Sequence, residues 1–200
     1  MLRHKICNTL IMRKIAAVLI GLLVCSLQSC IKITNPIGNI NVNIPYSQQA
    51  EIPAVPGYTF GQALPAAGAN IGLPPVPLAT NSQQYISQYS TTADKIIKVD
   101  LDSFALQILS PGSQNFDFLD SVQLYLSARS QPEVLVAYNY QIGKGQTALI
   151  LNTISDVNLK NYFIQDTIYL RLNTHVNAIP ATGTQLNMYT VFHMLANLLG

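Results

Sequence analysis

Between residues 96 and 194 apolar and polar side chains alternate with a period of two, in segments roughly ten residues apart. Successive side chains of a strand point to opposite faces, so each such segment has one face to bury. Over 121–127, Val122, Leu124 and Leu126 take one face and Gln123, Tyr125 and Ser127 the other. Further segments cover 133–140, 147–152, 167–176 and about 184–194. In 96–109 the parity changes partway: Ile97, Val99 and Leu101 give way to Phe104, Leu106 and Ile108. A switch around Ser103 predicts either a bulge or two consecutive strands. Turn residues stand between the segments: Ser110-Pro111-Gly112-Ser113, Ser130-Gln131-Pro132, Gly143-Lys144-Gly145 and the Pro180/Gly183 loop.

Six or seven strands in this arrangement predict an all-β fold, a single antiparallel β-sandwich of Ig-like or jelly-roll-like kind over residues 82–200. One or two short helices accompany it. Residues 82–90 form the first, capped by Asn81 or Ser82, with Tyr85 and Tyr89 on one face. Asp156 caps a helical turn over 157–164. The last two strands are expected to pair about the loop at 180, Val176 opposite Thr184.

Upstream the pattern weakens. Ile40, Val42 and Ile44 alternate with asparagines in a short strand-like piece. Residues 45–80 then hold seven prolines, four glycines and one charge, Glu51. Proline at this density opposes helix and central strand. Residues 30–81 are therefore expected to be a spacer, part of it packed on the domain through Ile52, Val55, Tyr58, Phe60 and Leu64. A flexible coil of residues 45–80 spans about 33 Å, and a polyproline-like one about 110 Å.

The first 29 residues read as an export leader. Residues 15–27 are an apolar run preceded by Arg13 and Lys14, too short for an ordinary spanning helix of about 20 residues. Met12 is an alternative start. The run ends in Leu27-Gln28-Ser29-Cys30, which resembles the lipobox of bacterial lipoproteins: an aliphatic residue, then a small residue, then the cysteine. The resemblance implies cleavage before Cys30, a diacylglycerol thioether on its sulfur and an acylated amino group. One acyl chain anchors only marginally, whereas two or three hold firmly. Ile31 in place of aspartate resembles the outer-membrane sorting signal, which implies a lipid-anchored protein of the outer membrane facing the periplasm. The alternatives are a plain secretory signal and an uncleaved membrane helix.

Several function classes drop out. From Cys30 onward there are seven Lys or Arg against nine Asp or Glu, about −2, with no basic run, so a nucleic-acid partner is not expected. Cys7, Cys25 and Cys30 all precede the domain, which leaves it neither disulfide nor thiolate site. If the last strands form a hairpin, His175 and His193 lie about 26 Å apart and share no metal. Asp100 with Asp102, and Asp117 with Asp120, are carboxylate pairs without the loop of a calcium site. They are the only basis for a hydrolase reading, and the plainer reading is solvated edge and turn acids. Neither a nucleophile elbow nor a phosphate loop is present.

The tyrosines are the remaining candidates. If Tyr125 pairs with Val136, then Tyr138 and Tyr140 share its outer face as an aromatic strip able to meet a sugar or a protein. A slip of one residue turns both into core. The segments SPGSQNFDFLDSVQLYLS (110–127), QPEVLVAY (131–138) and DVNLKNYF (156–163) resemble small uncharacterised lipoproteins of Bacteroidota type, over residues 82–195. That resemblance implies the sandwich and the anchor and no reaction. The expected function is a non-enzymatic structural or interaction module of the cell envelope, without cofactor, held at the membrane by Cys30. Its partner is an envelope protein, or a glycan gripped by the surface tyrosines.

Overall fold

The structure is a computed structural model that describes residues 38–198 except 55, 56, 60, 61, 63 and 182. The leader, Met12 and Cys30 lie outside the described residues. Ten strands are described: β1 (Asn39–Glu51), β2 (Ala69–Gly72), β3 (Val76–Ala79), β4 (Ile96–Ser110), β5 (Leu119–Ala128), β6 (Gln131–Asn139), β7 (Ala148–Ile150), β8 (Asn152–Thr153), β9 (Thr167–Val176) and β10 (Gln185–Asn197). Two short helices, α1 (Ser82–Gln88) and α2 (Lys160–Phe163), sit between them. No described helix is long and apolar enough to cross a membrane.

All pairings are antiparallel. The first sheet runs β1-β10-β4-β7; the second runs β2-β9-β5-β6-β8, with β3 also on β9. β2 and β3 are one strand broken by proline. Gly72 faces Asn173 and Val76 faces Leu170 on the same edge of β9. Between them Pro74 and Pro75 have no N–H to give that edge. Counted as one, they make eight main strands ordered 1-8-3-6 and 2-7-4-5, with β8 as a two-residue addition. That is jelly-roll order and not the immunoglobulin one.

The core lies between the sheets. Val122, Leu124 and Leu126 from β5 meet Phe104, Leu106, Phe192 and Met194 from the first sheet, all buried. Each fully buried side chain of this size contributes about 1.5–3 kcal/mol. Phe192 stacks edge-on against Tyr46 at 5.8 Å and lies 6.0 Å from Phe163 of α2.

The parity change in β4 is a bulge in one continuous strand. Ser103 faces Val191 and Leu101 faces Phe192, which leaves Asp102 as the extra residue. Ile97 and Leu109 are extra residues of the same kind, and both are exposed.

Three expectations are corrected. The segment 30–81 does not act throughout as a spacer. Asn39–Glu51 pairs with β10 over thirteen consecutive residues, and β2 and β3 join the second sheet. Prolines are tolerated because Pro45 and Pro77 lie on edge strands, where a missing N–H can face solvent. The domain therefore begins before residue 82. β9 and β10 do not form a hairpin; they belong to opposite sheets. Finally, the N-cap of α2 is Leu159, without a side-chain cap; the Lys160 N–H donates to Asn158 Oδ1 at 3.0 Å, and Asp156 does not cap the turn.

Candidate functional site

β6, β5 and β9 lie side by side, and their outward residues form one polar aromatic surface. Gln123 and Tyr125 come from β5, Tyr169, Arg171 and Asn173 from β9, and Glu133, Leu135 and Tyr138 from β6. Tyr140 follows directly. The register of β5 on β6 decides this composition. Gln123 faces Tyr138 and Leu124 faces Ala137, but Tyr125 faces Leu135. Val136 is a bulge residue, buried with Ala137. The expected pairing thus holds up to Leu124 and slips at Tyr125, where the bulge absorbs one residue. Without that bulge the two ends of β6 would point to opposite faces.

The side chains on this face are tied together. Tyr138 and Tyr140 stack at 4.7 Å with 23° between their planes. Gln123 links the tyrosines: its Nε2 donates to the Tyr140 hydroxyl at 3.0 Å, and its Oε1 accepts from Asn173 Nδ2 at 3.2 Å and Tyr125 O–H at 3.4 Å. The Arg171 guanidinium sits 4.7 Å over the Tyr125 ring and grips Glu133 with two hydrogen bonds, Nε donating at 2.7 Å. Those bonds hold the Glu133 carboxyl below its ordinary range and push Arg171 up.

The structure thus brings Tyr125, Tyr138 and Tyr140 onto one face. It does not lay them flat. One face of Tyr138 is spent on Tyr140, and one face of Tyr125 on Arg171. Gln123, Asn173, Arg171 and Glu133 escaped the sequence reading. Alternation placed Arg171 and Asn173 outward on β9, but no local signal said that β9 adjoins β5.

The other candidates serve the fold. Asp120 is the bulge residue where β5 meets β9, and it accepts from Asn177 Nδ2 at 2.6 Å. Its Oδ2 lies 3.1 Å from His175 Nδ1, while His175 Nε2 lies 2.9 Å from the Ala67 carbonyl. This tethers the chain before β2 to β9. His193 spans Asp100 and Asn41, at 3.2 Å each, and so ties β4 to β1 across β10. The two histidines stand on opposite sheets, which replaces the hairpin argument for their separation. Asp117 accepts the Gly145 N–H at 2.6 Å and closes the 143–145 turn. Among the described residues no cluster of three or more His, Cys, Asp or Glu is placed to hold a metal.

No family model matches the sequence. No curated protein matches it either. Among solved structures the chain is similar to one from Desmodium yellow mottle tymovirus, at 11% identity over 82% of this chain and 93% of that one. The TM-score is 0.24, too slight a likeness to bear on function.

Proposed function

We propose that this chain is a non-enzymatic interaction module of the cell envelope, tethered by lipid on Cys30, that binds an envelope protein through the tyrosine face of its second sheet. The observation that carries the docking half is the pre-organised face itself. Tyrosine and arginine are the residue types that dominate protein interfaces, and holding them in place before contact lowers the entropy cost of binding. Here Gln123 and Glu133 hold them. The tethering half rests on the basic flank, the apolar run and Leu27-Gln28-Ser29-Cys30. A periplasm-facing outer-membrane position follows from the same segment.

A glycan is the second reading, favoured by Tyr140, which is 52% exposed. It is the weaker one, because sugar stacking needs open ring faces, and Tyr138 and Tyr125 each have one covered. In-cell crosslinking from position 140, followed by mass spectrometry, discriminates the two. A protein adduct lost in Tyr125→Ala/Tyr138→Ala supports the docking module. A glycan array signal with no protein adduct replaces it. Cys30→Ser should abolish palmitate labelling and release the protein from membranes. A wild type that carries no label and stays on the membrane refutes the anchor.

A further inference from the structure

The two sheets part along one seam of the sandwich, between the end of β1 and the broken strand β2–β3, and a cavity of about 220 Å³ opens there. Its floor comes from both sheets: Leu170 and Leu172 from β9, Leu186 and Met188 from β10. Ala50 and Glu51 of β1 form one lip and the strap 73–77 the other. The strap is Leu73-Pro74-Pro75-Val76-Pro77. It is pinned by the Leu73 N–H to the Leu172 carbonyl at 2.8 Å and by Val76 opposite Leu170. Three prolines with fixed φ cannot fold inward to fill the space. The seam is therefore held open.

An apolar cavity of 150 Å³ stays dry and takes up small apolar molecules. This one is larger and opens to solvent at the lip, where Gln49 and Glu51 stand; the rest of its wall is aliphatic side chains and prolines. A smaller apolar space of about 20 Å³ continues deeper between the sheets and shares Leu73, Leu172 and Leu186 with it. At about 30 Å³ per water-sized group, the seam has room for roughly seven methylenes. At its mouth Glu51 accepts from Gln185 Nε2 at 2.9 Å through one carboxylate oxygen. A carboxylate at the lip favours a head group that donates hydrogen bonds and repels an anionic one.

We infer that the seam binds a short unbranched alkyl chain bearing a non-anionic, hydrogen-bond-donating head, such as a hydroxyl, in preference to the matching fatty acid. This site is separate from the tyrosine face and does not depend on it. The probes are 1-hexanol and hexanoate, titrated into the full chain in bilayer nanodiscs with ¹³C-labelled Leu, Val and Met methyls. Saturable shifts at Leu170, Leu172, Leu186 and Met188 are expected with hexanol, and binding about tenfold or more weaker with hexanoate. Met188→Phe fills the seam from the floor and should remove the shifts; Ala50→Leu does so from the lip if the first variant does not fold. No saturable shift at these methyls overturns the site. Equal binding of hexanoate overturns the head-group preference. Shifts that persist in a folded, seam-filled variant place the alcohol elsewhere and overturn the site as well.

Discussion

Tyr46 shows how one side chain on β1 joins three parts of the molecule. Its ring packs on Phe192 and Tyr85, and its hydroxyl donates to the Thr80 carbonyl between β3 and α1. Burial, with Tyr85 beside it, pushes the hydroxyl well above its ordinary value, so it stays a donor at any working pH. Tyr46→Phe leaves that carbonyl without its partner and should cost about 1–2 kcal/mol in chemical denaturation. Gly68 is constrained more tightly. It has φ +69°, and an added Cβ would lie 2.5 Å from His175 Cε1 and 2.6 Å from the Val176 carbonyl. Gly68→Ala should therefore destabilise by more than about 1 kcal/mol and shift the His175 ring resonances.

The Arg171–Glu133 pair belongs to the same scale. The folded carboxyl titrates below its ordinary value of 4.5 because Arg171 hydrogen-bonds to its charged form. The pair's contribution is thus present above that ordinary value and is lost as pH falls through the lower folded one. The pair is partly exposed, so that contribution is under about 1 kcal/mol. A ¹³C titration of the Glu133 carboxyl should give a midpoint below 4.5, returning toward 4.5 in Arg171→Ala.

At the scale of elements, bulges decide what the strands display. The bulge at Val136 lets Tyr138 and Tyr140 stand on the same face as Tyr125 although the pairing slips between them. Deleting Val136 removes the extra residue, so the ladder becomes regular with Tyr125 opposite Leu135 and Leu124 opposite Ala137, and Tyr138 and Tyr140 keep their face. The expected result is a retained tyrosine stack and a destabilisation of about 1.5–3 kcal/mol, from the loss of the buried Val136 side chain. Proton spectra of the Tyr138 ring, and melting curves, check it. Asp102 and Asp120 are bulge residues too. Alternation flagged the first through its parity change. The second was invisible, since a bulge near a strand end leaves too little pattern on one side.

At the scale of the whole molecule, β1 is structural. It forms an entire edge of the first sheet and supplies Val42 and Ile44 to the core. A chain starting at Ser82 should therefore fail to fold, whereas one starting at Gly38 should give a cooperative β-rich melt by circular dichroism. A folded, cooperative Ser82 chain would restore the spacer reading of 30–81.

What the sequence determined by itself is local. Alternation told which side chains of β5, of β9 and of β4 beyond Ile97 face inward, because the two faces of a strand differ only in the residues they carry; Ile97 itself is a bulge residue and exposed. Turn residues marked most strand ends, although β6 starts inside the expected 130–132 turn and the expected strand 147–152 is β7 and β8 in different sheets; composition told that the domain has no cysteine to staple it. The tertiary structure decided which strands are neighbours. β1 and β10 meet across more than 130 residues of sequence, as Glu51 opposite Gln185 shows. No local pattern encodes such a partner, since every inward apolar face can be buried by any other. The proline-rich segment was misjudged for that reason: proline forbids a central strand, but whether a strand is central or at an edge is a property of the finished sheet. The tyrosine face and the seam have the same origin. Each is assembled from strands whose adjacency exists only once the sandwich has closed.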